Sequence, residues 1–90
     1  MEKGSLVLAL RGKEKNQYFV IYESEGNFVY ILDGKRLKTS NPKKKNLKHV
    51  QNASKSKFPK DLLEDKNERT NCAIRKFLKE EKEKICQKMM

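Results

Sequence analysis

The strongest chemical signal in the sequence is a run of cationic side chains between residues 35 and 49. This stretch holds seven Lys or Arg residues and one His, but no Asp or Glu. Its densest part, residues 40–49, is SNPKKKNLKH. Cationic side chains neutralise backbone phosphates and release counterions, which gives affinity for nucleic acids without sequence preference. The stretch therefore predicts a short loop and strand that bind a polyanion, and the alternative is a mobile loop with generic charge.

A second cationic segment lies near the N-terminus, around Gly12, and is predicted to bind the same polyanion. The predicted phosphate-binding residues are Arg11, Lys13, Lys15, Lys35, Arg36, Lys38, Lys43, Lys44, Lys45, Lys48 and His49. Proteins recognise RNA bases largely by stacking them on aromatic rings. The rings available for stacking are Tyr18, Phe19, Tyr22, Phe28 and Tyr30. The core needs most of these rings, because the chain has no Trp, but strand alternation leaves some facing outward.

Size and net charge support a polyanion as the partner. The chain has 90 residues, with 36% hydrophobic and 38% charged residues, so one domain with a small core is expected. The formal net charge is +10 and the pI is near 9.7. So much positive charge destabilises a small compact protein by self-repulsion, and it is typical of proteins that bind nucleic acid.

The residue types do not favour catalysis, a cofactor, a metal or a small-molecule substrate. The sequence has no Ser-His-Asp set, no carboxylate pair in an apolar context and no Gly-rich phosphate loop. His49 is the single histidine, and Cys72 and Cys86 form no CxxC pair, so a zinc site is not expected. The apolar run 6–10 is too short for a signal peptide or a membrane span. We expect a cytoplasmic protein with reduced thiols and no membrane partner.

Hydrophobic alternation and turn residues predict five short strands before residue 53. The predicted strands are 5–11, 17–24, 27–33, 35–40 and 46–50. The segments 25–27 (EGN) and 33–35 (DGK) have the composition of tight turns, so neighbouring strands are expected to form hairpins. Strands this short with such regular turns predict a mainly β fold, a small barrel or sandwich.

The composition changes after residue 53, and the remaining residues 54–90 predict a basic linker with a helical extension. A short helix is predicted at 59–66 and a longer one at 70–85, capped by Thr70 or Asn71. Charges of both signs alternate along the longer helix, as on a solvent-exposed helix. Its apolar face consists of Ile74, Phe77, Leu78 and Ile85. We expect this face to pack on the barrel, and the alternative is that it binds another protein.

The order of these segments resembles the KOW domain over about residues 4–53. The resemblance is carried by RGKEKNQYFVIYE (11–23), FVYILDGKRLK (28–38) and NPKKKNLKHV (41–50). More specifically, the sequence is similar to the small bacterial KOW-domain RNA-binding proteins. These proteins are related to KOW-containing large-subunit ribosomal proteins of archaea and eukaryotes. The segment TNCAIRKFLKE (70–80) resembles the helix that follows the barrel in that bacterial group.

The resemblance implies an SH3-like, five-stranded β-barrel that binds RNA. The implied partner is ribosomal RNA or a ribosomal particle, with ribosomal proteins as further neighbours. The KOW motif has a basic loop, then a glycine and a hydrophobic strand, which correspond here to residues 12–15, Asn16 and residues 18–22. Asn in place of the motif glycine is a departure, although Asn tolerates the left-handed backbone that glycine would allow. Glu14 weakens the positive field of this loop.

A protein-interaction module remains the alternative function. SH3-like barrels elsewhere bind proline-rich or methylated-lysine peptides in aromatic grooves. Those sites tend to be aromatic or acidic, whereas this chain is basic and has no Trp. Either the barrel or the apolar face of the C-terminal helix would form such an interface.

Overall fold

The computed structural model describes the backbone of residues 2–13, 15–64 and 68–88, with their side chains except those of 54–56 and 85–88. Within these residues the chain forms five strands followed by helices, which confirms the mainly β prediction with C-terminal α structure. The strands are β1 (Ser5–Ala9), β2 (Tyr18–Glu25), β3 (Phe28–Leu32), β4 (Lys43–Asn46) and β5 (Val50–Lys57). The helices are a 3-10 turn at Leu47–His49, α1 (Lys60–Glu64) and α2 (Glu68–Lys88).

The strands form one sheet that curls into a half-barrel. Their order is β4-β3-β2-β1-β5, and every neighbouring pair is antiparallel. The register between β2 and β3 shifts between Ile21 and Glu23, so Tyr22 is the extra residue of a β-bulge. A bulge bends its strand and increases the local twist, and this helps the sheet to curl.

The first three predicted strands are confirmed to within two residues at either end, but the strand predicted at 35–40 is wrong. The backbone bends there because the Asp33 carboxylate accepts hydrogen bonds from the backbone N–H groups of Lys35 (2.8 Å) and Leu37 (3.0 Å). A short Asp side chain that bonds its own backbone competes with a sheet ladder and favours a turn. Residues 33–42 therefore form a long β3–β4 loop.

The strand predicted at 46–50 is also wrong, because this segment contains the end of β4, a 3-10 turn and the start of β5. The lysine run belongs to β4, and Asn46 caps the 3-10 turn by accepting a hydrogen bond from the Lys48 backbone N–H at 2.9 Å. β5 then begins at Val50 and continues to Lys57. Strand β5 therefore crosses the boundary that the sequence predicts between the barrel, which ends at residue 53, and the extension, which begins at residue 54.

Two apolar clusters cover the two faces of the sheet. The cluster inside the half-barrel consists of Val7, Ala9, Phe19, Ile21, Val29, Ile31 and Val50. The cluster on the outer face consists of Val20, Leu32, Phe58, Leu63 and Ile74, with Phe77 and Leu78 packed against it. The expected packing of the helix on the barrel is therefore confirmed. Full burial of a side chain such as Ile74 contributes about 1.5–3 kcal/mol. The predicted contact of Ile85 lies outside the described side chains.

The N-terminal turn of α2 is tied to the rest of the fold by buried polar residues. Helix α2 begins at Glu68, so the prediction that Thr70 or Asn71 caps it is wrong. Both side chains are buried inside the first turns. The Thr70 hydroxyl donates to the Leu62 carbonyl oxygen of α1 at 2.6 Å, which joins the two helices. Among the described helices, none combines the length and the apolar character that a membrane crossing requires.

Candidate nucleic-acid interface

The β3–β4 loop lies directly against helix α2 at Gly34. This glycine has a φ of +79°, a left-handed conformation that side chains disfavour. A Cβ at this position would overlap the Asn71 carbonyl oxygen and would lie 2.8 Å from the Cγ of Arg75. Only a glycine therefore lets the loop approach the helix so closely.

Asn71 anchors the other side of the same loop. Its side-chain oxygen accepts a hydrogen bond from the Thr39 backbone N–H at 3.2 Å, and both residues are buried. Together with the close approach at Gly34, this bond attaches the loop to α2 at two points five residues apart. The intervening Lys35 and Arg36 are exposed. The helix thus holds these two cations at the surface in a shaped loop.

The β1–β2 loop (residues 10–17) supplies the opposite wall of the site. Asn16 has a φ of +69°, the left-handed conformation that Asn was expected to tolerate at this position. Its N–H donates to the Ala9 carbonyl oxygen at 2.9 Å, and the Ala9 N–H donates to the Gln17 carbonyl oxygen at 3.0 Å. These bonds close the loop at its base and leave Lys13 and Lys15 exposed. The side chain of Glu14 lies outside the described residues.

A groove of about 690 Å³ lies between these two loops and α2, and we call it the basic groove. It is lined by Asn16, Gln17, Tyr18, Asp33, Lys35, Arg75, Lys76, Leu78, Lys79 and Lys82. Five of these side chains are cationic and only Asp33 is acidic. The Asp33 carboxylate already accepts two backbone N–H groups, while Tyr18 and Leu78 provide half-buried apolar surface. The groove combines concentrated positive charge with one aromatic ring.

The cationic surface continues beyond the basic groove to the end of the half-barrel. A smaller hollow of about 100 Å³ shares Gln17 and Asp33 with the groove and includes Lys13 and Arg36 in its lining. The structure therefore brings Lys13, Lys35 and Arg36, which lie up to 23 positions apart in the sequence, onto one surface.

The sequence analysis missed the four cations of α2 that line the groove. Arg75, Lys79 and Lys82 have i, i+4, i+7 spacing, which places side chains on one face of a helix. This signal was available in the sequence. It was obscured because Glu80, Glu81 and Glu83 stand between the lysines and make the segment look evenly mixed in charge.

The three consecutive lysines of β4 do not form one phosphate-binding loop. Lys45 pairs with Val29 across the sheet and is a buried residue, and its ammonium donates to the Arg11 carbonyl oxygen at 2.8 Å. Lys44 takes the opposite face, where its ammonium lies 4.4 Å from the centre of the Phe28 ring. Strand alternation therefore separates the lysines, and Lys45 links β4 to the β1–β2 loop.

The remaining predicted site residues lie outside the lining of the basic groove. Lys38 and Lys43 are half-buried, and the Lys38 carbonyl oxygen accepts a hydrogen bond from the Asn41 N–H at 2.8 Å. Lys48 is exposed on the 3-10 turn. His49 is half-buried, and its carbonyl oxygen accepts a hydrogen bond from the Leu10 N–H at 2.8 Å. These residues border other parts of the half-barrel.

Comparison with known proteins identifies no relative of this chain. Neither the models of known protein families nor the curated proteins give a match for the chain.

In the described part of the chain, no three His, Cys, Asp or Glu side chains lie together as potential ligands of a metal ion. The geometry of the basic groove is therefore the observation from which function is inferred.

Proposed function

We propose that this protein binds RNA and that the basic groove is the centre of the interface. The observation that carries this proposal is the convergence of cations from three separate segments. Lys13 comes from the β1–β2 loop, Lys35 and Arg36 come from the β3–β4 loop, and the others come from α2. Cations gathered on one concave surface match the charge of a phosphate backbone and attract it at long range.

We further propose that the half-barrel is an SH3-like barrel of the KOW type. The support is the sequence resemblance, together with the left-handed backbone of Asn16 at the position where the motif has glycine. Under this proposal the RNA is ribosomal RNA or part of a ribosomal particle in the cytoplasm. Ribosomal proteins would then be neighbours of the bound protein rather than its main ligands.

A salt titration tests RNA binding directly. Affinity for a structured RNA is measured by filter binding over a range of salt concentrations. If about five phosphates are engaged, log affinity falls with log salt at a slope of roughly 3.5–4.5. Absence of binding at low salt would refute the proposal. Co-migration with ribosomal particles in a sucrose gradient tests the ribosomal assignment separately.

The exposed aromatic surface of β3 favours a protein partner as the second candidate function. Phe28 is 39% exposed, and Tyr30 beside it on the same face donates its hydroxyl to Glu25 at 3.3 Å. Partially exposed aromatic rings are enriched at protein interfaces. A protein partner that stays bound after nuclease treatment, and is lost in Phe28→Ser, would support this function over RNA binding.

A further inference from the structure

We infer that the basic groove binds an unpaired nucleotide of its RNA, with the base against Tyr18 and Leu78 and the phosphates on the surrounding cations. This inference rests on the proposed function and specifies its substrate class. It follows from the arrangement of side chains within the groove, because charge alone would suit any polyanion.

The groove is large enough for a nucleoside. Its volume of about 690 Å³ falls within the range of about 300–1,000 Å³ that holds drug-sized ligands, so a nucleoside fits inside. The bases of an intact duplex are stacked within the helix and cannot enter such a concavity. An unpaired or extruded base can enter it and present its flat face to the wall.

Apolar surface from two elements lies within the groove. Tyr18 begins β2 and pairs with Leu8 of the adjacent strand, so the sheet holds its backbone in place. Leu78 of α2 packs beside the outer apolar cluster, and both Tyr18 and Leu78 are only half-buried. An aromatic ring held on a rigid strand is a suitable stacking platform for any base.

The amide side chains and most of the cations of the groove come from different elements. The amide side chains of Asn16 and Gln17 line the groove next to Tyr18, and amides both donate to and accept from base edges. The cations Lys76, Lys79 and Lys82 come from the opposite wall, on α2. Amides beside the ring on one side and cations on the other match the base edge and the phosphates of a nucleotide. A poly-glutamate peptide would engage the cations, but it has no planar ring to stack on Tyr18.

The test uses the intact protein and labelled RNA oligonucleotides of equal phosphate number. These are a single strand, a blunt duplex, and the same single strand with abasic positions. At one salt concentration we expect the single strand to bind more tightly than the duplex. Loss of one stacked base is expected to weaken binding by about 5- to 150-fold, while the salt slope stays unchanged. A 4-thiouridine strand is expected to crosslink within residues 16–18 or at Leu78.

Two variants separate the base site from the charge of the groove. Tyr18→Leu removes the ring and should weaken single-strand binding much more than duplex binding. Tyr30→Leu is the matched control, because Tyr30 lies outside the lining of the groove. Asn16→Gly retains the left-handed backbone and removes one amide, so it keeps the inference testable if Tyr18→Leu fails to fold. It should reduce the difference in affinity between the single strand and the abasic strand without changing the salt slope.

The outcomes that overturn the inference differ from those that overturn the proposed function. Equal affinity for single strand, duplex and abasic strand would show a purely electrostatic groove, and RNA binding would stand. Displacement of the single strand by a poly-glutamate peptide of equal charge, at equal concentration, would assign the groove to acidic peptides. No binding of any RNA at low salt would refute the function and the inference together.

Discussion

The Asn71 side chain of α2 accepts a hydrogen bond from the Thr39 backbone N–H at 3.2 Å, across 32 positions of sequence. Asn71 is buried, and it belongs to a helix that follows the half-barrel in the chain. The bond makes the position of the β3–β4 loop depend on α2. Helix α2 therefore has two roles, since it contributes four cations to the basic groove and also orients Lys35 in the facing loop.

Replacement of Asn71 by Ala is expected to destabilise the fold and loosen the β3–β4 loop. The Thr39 N–H is then buried without its acceptor, which costs about 1–3 kcal/mol. The free energy of unfolding, measured in urea, should fall by that amount, and the Thr39 amide should exchange with solvent faster. The control is Glu80→Ala at an exposed site of α2, where a change within about 0.5 kcal/mol is expected. Equal effects in both variants would contradict the anchoring role of Asn71.

Substitution of Gly34 by Ala tests the close approach between the loop and α2. The new Cβ meets both an unfavourable φ of +79° and the Asn71 carbonyl oxygen. Gly26→Ala is a matched control, because Gly26 has a φ of +58° but no atom within 4 Å of the added Cβ. The backbone conformation alone costs about 1–2 kcal/mol. Urea denaturation should show a clearly larger loss for Gly34→Ala, and similar losses would argue against tight packing at this point.

Neutralisation of the lysines on α2 is expected to reduce the electrostatic part of RNA binding. In the variant with Lys76, Lys79 and Lys82 changed to Gln, the slope of log affinity against log salt should fall by about 2–3. Circular dichroism should remain unchanged, because these side chains are exposed. Lys44→Gln alters one lysine on the outer face and should leave the slope nearly unaltered. An unchanged slope of log affinity against log salt in the triple variant would show that the RNA interface lies outside the groove.

The ammonium of the buried residue Lys45 is expected to contribute to stability, whereas the ammonium of its exposed neighbour Lys44 is expected to contribute little. Lys45→Met keeps a straight side chain but removes the donor to the Arg11 carbonyl oxygen, a bond of the class worth about 1.5–3 kcal/mol. Lys44→Met removes a cation–π contact at an exposed site, worth about 0.5–1 kcal/mol. The Lys45 variant should also speed amide exchange at Asn16. Comparable stability of the two variants would show that the hydrogen bond from Lys45 to the Arg11 carbonyl oxygen does not hold β4 to the β1–β2 loop.

Features with a strong local signal could be predicted from the sequence. The alternation of apolar residues identified the first three strands, and the spacing of Ile74, Phe77 and Leu78 identified the face of α2 that packs on the sheet. The tolerance of Asn16 for a left-handed backbone was equally local, because it depends on the residue type. In each case the signal lies in the types of residues within a few positions of the one concerned.

The composition of the candidate site could not be predicted, because it depends on partners distant in sequence. Three identical lysines carry no apolar pattern that indicates which of them turns inward. Pairing of β4 with β3 sets that choice, since Lys45 lies across from Val29 and Lys44 lies across from Tyr30. Likewise, Lys35 and Lys79 are 44 positions apart, and they share a groove because Gly34 and Asn71 hold the loop against the helix. Local patterns indicated the first three strands and the packed face of α2, and composition set the total charge. Long-range contacts decide which charges act together.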